Sequence, residues 1–261
     1  MSLPPTDLGS AAALGIVAIA TNNVLGPTLK VIGEDLKRVY EVGRDKIILV
    51  ADRKNNSQKD QKRANIRIAK EVFESGSYTT DEISAEYFGG ILASCRSETG
   101  QDDSALPLLN IIKGLSTYQL HLHYAIYCTL NERLLKEGKF LNVAMESQLS
   151  SKEIVFAAQH IFGINLNPTR DLPILNEVGL VGLYKTGVEP IPGGKMVPFV
   201  SIRPTTLGVM VYCVAHNKFE DWNAFSSLTL GRFPDIEVPP ISFDSIQGLK
   251  NFVTATQKNV D

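Results

Sequence analysis

Three cysteines, four histidines and one tryptophan among 261 residues leave little material for redox, metal or nucleophilic chemistry. Cys95, Cys128 and Cys213 are an odd number and lack CxxC spacing. Neither a disulfide framework nor a thiolate zinc site is expected, and the pattern fits a reducing cytoplasm. No GxGxxG, P-loop, HExxH or GxSxG occurs, so dinucleotide, nucleotide-phosphate, zincin and serine-hydrolase chemistry have no support. No cofactor or metal is expected. A formal net charge of −2 gives no global drive toward nucleic acid or anionic lipid. The 44% hydrophobic and 21% charged residues are ordinary for a globular chain of one large or two small domains.

A long apolar run is lacking too. Residues 11–20 (AAALGIVAIA) are apolar, yet no basic residue precedes them as a signal peptide requires. The run is about half the roughly 20 residues a membrane span needs. A buried or docked helix is expected there, with peripheral membrane contact as the alternative.

What the chain does have is helical periodicity. From Pro27 to about Arg53, apolar residues including Leu29, Ile32, Leu36, Ile47 and Val50 recur at mostly helical spacing. Ala64, Ile68, Ala69, Val72 and Phe73 form the stripe of a second helix that ends at Gly76. Thr79 and Glu82 stand at capping-box spacing before a third, in which Gly89-Gly90 permits close approach of another backbone. Asp102 or Asp103 is expected to cap a short helix that continues through Leu108 to Ile112. Ser116 opens a long helix closed by Gly138. A further helix is expected over 151–162.

The last third carries a different signal. A short helix over NPTRDLPILNEVG leads to a β-like run at 180–184. A turn with Pro192-Gly193-Gly194-Lys195 follows, then a second β-like run at 196–203 and a helix opened by Pro204-Thr205-Thr206. Helix, hairpin, helix is the outline of a winged-helix unit. The expected fold is therefore mainly α: a helical domain over 1–148, then a winged-helix-like α+β domain over 149–261. Its Pro-rich tail reads as an extended arm. Trp222 and Phe225 either form an interface or close the core.

Candidates for chemistry are thin. His121 and His123 point about 200° apart on a helix and cannot share a metal; one is expected to be buried among tyrosines. His160 and His216 lie near helix ends, where a cation suits the dipole. Cys95 precedes Arg96, which leaves an unrecognised hydrolase centred on it, or on His121 and His123, as a third reading. Between positions 30 and 71, twelve Lys/Arg stand against seven Asp/Glu. Lys59, Lys62, Arg63, Arg67 and Lys70 cluster there, while the wing region adds Arg170, Lys185, Lys195 and Arg203. Together they are the candidate surface for nucleic acid or an anionic membrane. The helix before the hairpin carries Asp171 and Glu177 beside its one cation, so docking onto protein is the stronger expectation.

Three stretches resemble the Abi-alpha family of bacterial abortive-infection (phage-defence) proteins. They are LGPTLKVIGEDLKRVYE, the central EVFESGSYTTDEISAEYFGGILASCRS, and the closing VGLVGLY with IRPTTLGVMVYCVAHN. The resemblance spans about 25–217 and rests on packing patterns, and EYFGGILASCRS departs from the family's commoner form. It implies helical architecture with a terminal winged-helix-like unit and a defence role, and it carries over no catalytic residues. The expected function is non-enzymatic: binding a protein partner or self-assembling as a homo-oligomer. The alternative is a nucleic-acid-binding regulator.

Overall fold

The computed structural model describes residues 26–55 and 61–258. The apolar run at 11–20 and Lys59 lie outside them. Among the described residues are ten α-helices and two small antiparallel sheets, so the chain is mainly α with some β. No described helix is long and apolar enough to cross a membrane.

Helix α1 (Gly26–Lys54) is the long N-terminal helix its periodicity predicts. Its C-terminal half buries Ile47, Val50 and Ala51. Strand β1 (Arg63–Ala64) pairs antiparallel with β2 (Arg96–Ser97) and frames the next two helices. Ala64 thus belongs to a strand rather than to α2 (Ile66–Gly76), because the Asn65 side chain accepts from the Arg67 and Ile68 amides and starts the helix after it. Helix α3 (Glu82–Ser94) is capped by Asp81, not Thr79. The Asp81 carboxylate accepts from the Ser84 amide, while the Thr79 hydroxyl donates backward to Gly76 O. Gly89 and Gly90 do admit neighbours. A Cβ at Gly90 would stand 2.1 Å from Ala215 O, and one at Gly89 2.6 Å from the Val50 side chain.

Neither Asp102 nor Asp103 caps α4 (Leu106–Ile112) through its side chain. Asp102 accepts from Ser104 instead, closing a turn two residues before the helix. Helix α5 (Thr117–Glu137) has a reciprocal Ser116–Gln119 capping box and a left-handed Gly138 at φ 63°. It runs through the core and buries a dozen side chains.

The expected helix over 151–162 divides. After the one-turn α6 (Glu146–Leu149), residues Ile154–Ala157 form β3, and only Ala158–Phe162 is helical, as α7. Ile154 and Val155 are β-branched and all four strand residues are buried, so sheet pairing overrides the local helical pattern. Helix α8 (Pro168–Glu177) then leads to β4 (Val181–Pro190), β5 (Met196–Pro204) and α9 (Thr206–Ala215). The β4–β5 turn holds Gly193 and Gly194 at φ 91° and 77°. The strand order is β3-β5-β4, all antiparallel. One face of this sheet joins the main core through Val200 and Ile202. The other is covered by α10 (Ile246–Lys258), with Val155, Val197, Phe199 and Leu249 packed together.

The main apolar cluster draws on residues from Ile47 to Phe233, on both sides of position 148. Phe225 is wholly buried within it and Trp222 packs against it, so this pair closes the core. The tail is extended as expected, and Phe243 exchanges both backbone hydrogen bonds with Val155.

Candidate functional site

A buried ion pair lies where the end of α1 meets α3 and the end of α9. Lys54, the last residue of α1, turns its side chain inward and donates to Glu86 O at 2.7 Å and to Ala215 O at 2.6 Å. Its ammonium also pairs with the Glu86 carboxylate at 2.6 Å and lies 4.4 Å from the centroid of the Phe233 ring. Arg53 holds the other Glu86 oxygen. Burial pulls Lys54 down to about 8, against the opposing pull of Glu86. Two hydrogen bonds to carbonyls and one ion pair hold the ammonium, so it joins helices and is not presented as a nucleophile.

Asn217 completes the junction. It sits left-handed at φ 56°, the conformation that closes a helix at the position where Gly or Asn is favoured. Its amide donates to Lys54 O and Asn55 Oδ1, and its Oδ1 accepts from Ser94 Oγ. A cavity of about 280 Å³ opens beside these groups, lined by the cations Lys54, Lys62, Arg96 and Lys218 and by the carboxylates Glu220 and Asp221. Mixed charge makes it a polar notch rather than a one-sign anion trap. Sequence reasoning missed this junction. The available signals were a lysine on the apolar face of α1 and Glu86 inside the otherwise apolar EISAEYFGGILAS.

The three cysteines and His123 are buried, while His121, His160 and His216 are half-buried. His123 is buried; its Nδ1 meets the Tyr87 hydroxyl at 2.5 Å and its Nε2 meets Gly208 O at 3.2 Å. Burial lowers it to about 3. His121, on the opposite side of α5, reaches Glu237 O at 2.6 Å. His216 corrects the expectation of a cation at a helix end. It stacks on Phe233 at 4.4 Å and is lowered to about 3, first by burial and then by Lys54 nearby. All three cysteines are buried thiols. Burial raises Cys95 despite Arg96 beside it, the direction opposite to thiolate activation. Among the described residues, no group of three His, Cys, Asp or Glu could hold a metal.

The predicted cationic surface is scattered and partly neutralised. Lys62, Arg63, Arg67 and Lys70 are exposed around β1 and α2, with Lys70 3.5 Å from Glu74. Arg170 is bonded through two nitrogens to Asp171 and lies 4.8 Å from the Tyr118 ring centroid. Lys185 lies 3.9 Å from Glu189. Lys195 is at the hairpin tip and Arg203 near the end of β5, both exposed. No protein-family model, curated protein or solved structure matches this chain.

Proposed function

We propose that the chain is a non-enzymatic interaction protein of the abortive-infection kind, acting through a protein partner docked along α1. The observation carrying this reading is that the buried face of α1 outruns the body it packs on. Leu36 lies on the same helical face as Ile47 and Val50, eleven and fourteen residues away. It is nevertheless 52% exposed, because nothing among the described residues covers that end of the helix. The apolar run at 11–20 precedes this segment in the chain. The inward placement of His123 and of the three thiols supports a role without catalysis.

In this reading residues 149–261 are winged-helix-like, while the docking helix α1 rests chiefly on α3. Support comes from the succession β3, α7, α8, β4, β5 and from the strand order β3-β5-β4. The paired state of Arg170 and Lys185 favours protein over duplex DNA as the partner.

The test is phage plating on a bacterial host that expresses the full chain or Leu36→Asp. Wild type should lower plating efficiency, and the variant should lose most of that effect while keeping the wild-type melting temperature. A wild type that never restricts phage overturns the defence reading. A fully active Leu36→Asp overturns the assignment of α1.

A further inference from the structure

Among the described residues, strand β4 is an open edge. Its neighbour is β5 on one side only, whereas the outer edge of β3 is already bonded to Phe243. The start of β4 is closed by Asn176, whose amide donates to Val181 O and Gly182 O. A register irregularity lies between Val181 and Tyr184. Pro190 ends the strand. Between these stops, residues 184–190 present a backbone row away from β5 that no other described residue bonds.

The direction of that row can be read from the hairpin. Ile191 N–H donates to Lys195 O at 2.9 Å, so these two residues form a hydrogen-bonded pair. Antiparallel ladders alternate bonded and non-bonded pairs. Pro190–Met196, Val188–Pro198, Thr186–Val200 and Tyr184–Ile202 are then the non-bonded pairs, which agrees with Pro190 and Pro198 having no N–H to give. Tyr184, Thr186 and Val188 therefore turn both N–H and C=O outward, and Pro190 turns out its C=O.

We propose that β4 pairs antiparallel with β4 of a second copy, on a two-fold axis through Gly187. In this register Thr186 and Val188 each exchange two hydrogen bonds with Val188 and Thr186 of the second copy. Each Tyr184 N–H meets the Pro190 C=O opposite, so every outward N–H is used. The same register sets Lys185 against Glu189 of the second copy, and Glu189 against its Lys185. Those are non-bonded positions, where side chains approach most closely. Shifting the axis to Val188 leaves the Tyr184 N–H unused, and shifting it to Thr186 or Val188 loses the charge match, so charge selects this alignment. Val188, 52% exposed, and Met196, 56% exposed, then join an apolar strip that crosses both copies on one face of the combined sheet. The two three-stranded sheets become one. This interface goes beyond the α1 reading and does not depend on it.

The experiment is sedimentation velocity on the full chain across micromolar concentrations, with wild type, Lys185→Glu, Glu189→Lys and Leu36→Asp. Wild type and Leu36→Asp should dimerise alike. Each β4 variant faces only like charges across the axis and should bind itself on the order of tenfold more weakly or worse. Mixing Lys185→Glu with Glu189→Lys restores opposite charges at both positions, so a one-to-one heterodimer should form. A monomeric wild type overturns the proposal, as does a Lys185→Glu dimer of undiminished affinity or a mixture that fails to associate. Loss of the dimer in Leu36→Asp assigns self-assembly to α1 and also overturns it.

Discussion

Lys54 and Glu86 are each a charge held away from water. Removing one partner of a buried pair leaves the other uncompensated, which typically costs about 3–5 kcal/mol. Glu86→Gln leaves the Lys54 ammonium with carbonyls alone and should lose roughly 3 kcal/mol in urea unfolding. Lys54→Met should lose less, since Arg53 still reaches Glu86 from its more exposed position. The double variant should be more stable than Glu86→Gln by itself, because no unpaired cation remains. A Glu86→Gln protein within about 0.5 kcal/mol of wild type, the ordinary scatter for surface changes, would show that the pair is solvated and does not hold the helix ends.

Elements were legible where a rule is local. The length of α1, the Ser116 and Gly138 limits of α5, and the hairpin turn all follow from caps, periodicity and glycine placement. Elements that depend on distant partners were not. Strand β3 has no alternation because both its faces are buried, one under the core and one under α10. The far half of β4 was hidden by Gly187 and Pro190, residues that weaken a strand in sequence yet fit an edge. The charged junction joins positions 54, 86 and 217, a proximity that no local rule encodes, whereas the candidate cations were easy to find and remain dispersed. The Gly89-Gly90 step was both legible and consequential. Gly90→Ala puts a methyl group 2.1 Å from Ala215 O, so α3 and α9 must separate. The expected loss is about 1–3 kcal/mol, as for other overpacked sites. Gly33→Ala is the matched control: it meets nothing within 4 Å and should gain roughly 0.5–1 kcal/mol from helix propensity. Equal effects of the two substitutions in thermal melts would deny the close contact.

At the scale of the whole molecule, the interior is aromatic and titratable, and its histidines make the fold acid-sensitive. His123 and His216 are lowered from 6.5 to about 3 by burial. As pH falls through 6.5 the unfolded chain takes up two protons that the native chain refuses, so stability is present above 6.5 and is lost toward 3. Each histidine contributes a slope of about 1.4 kcal/mol per pH unit once well below 6.5. The combined loss between pH 7.5 and 5 is then roughly 4 kcal/mol, a large share of the ~5–15 kcal/mol by which domains are stable. Carboxylates shifted downward, such as Glu132 beside Arg232, add to this only below about 4.5, so the upper window belongs to the histidines. His216→Phe tests the assignment, since its Nε2 has no partner among the described residues and the ring stack on Phe233 is retained. Urea unfolding of that variant should show about half the wild-type loss between pH 7.5 and 5. A wild-type profile that stays flat to pH 5 would mean that both imidazoles accept protons in the folded chain, and that water reaches a core that packing closes.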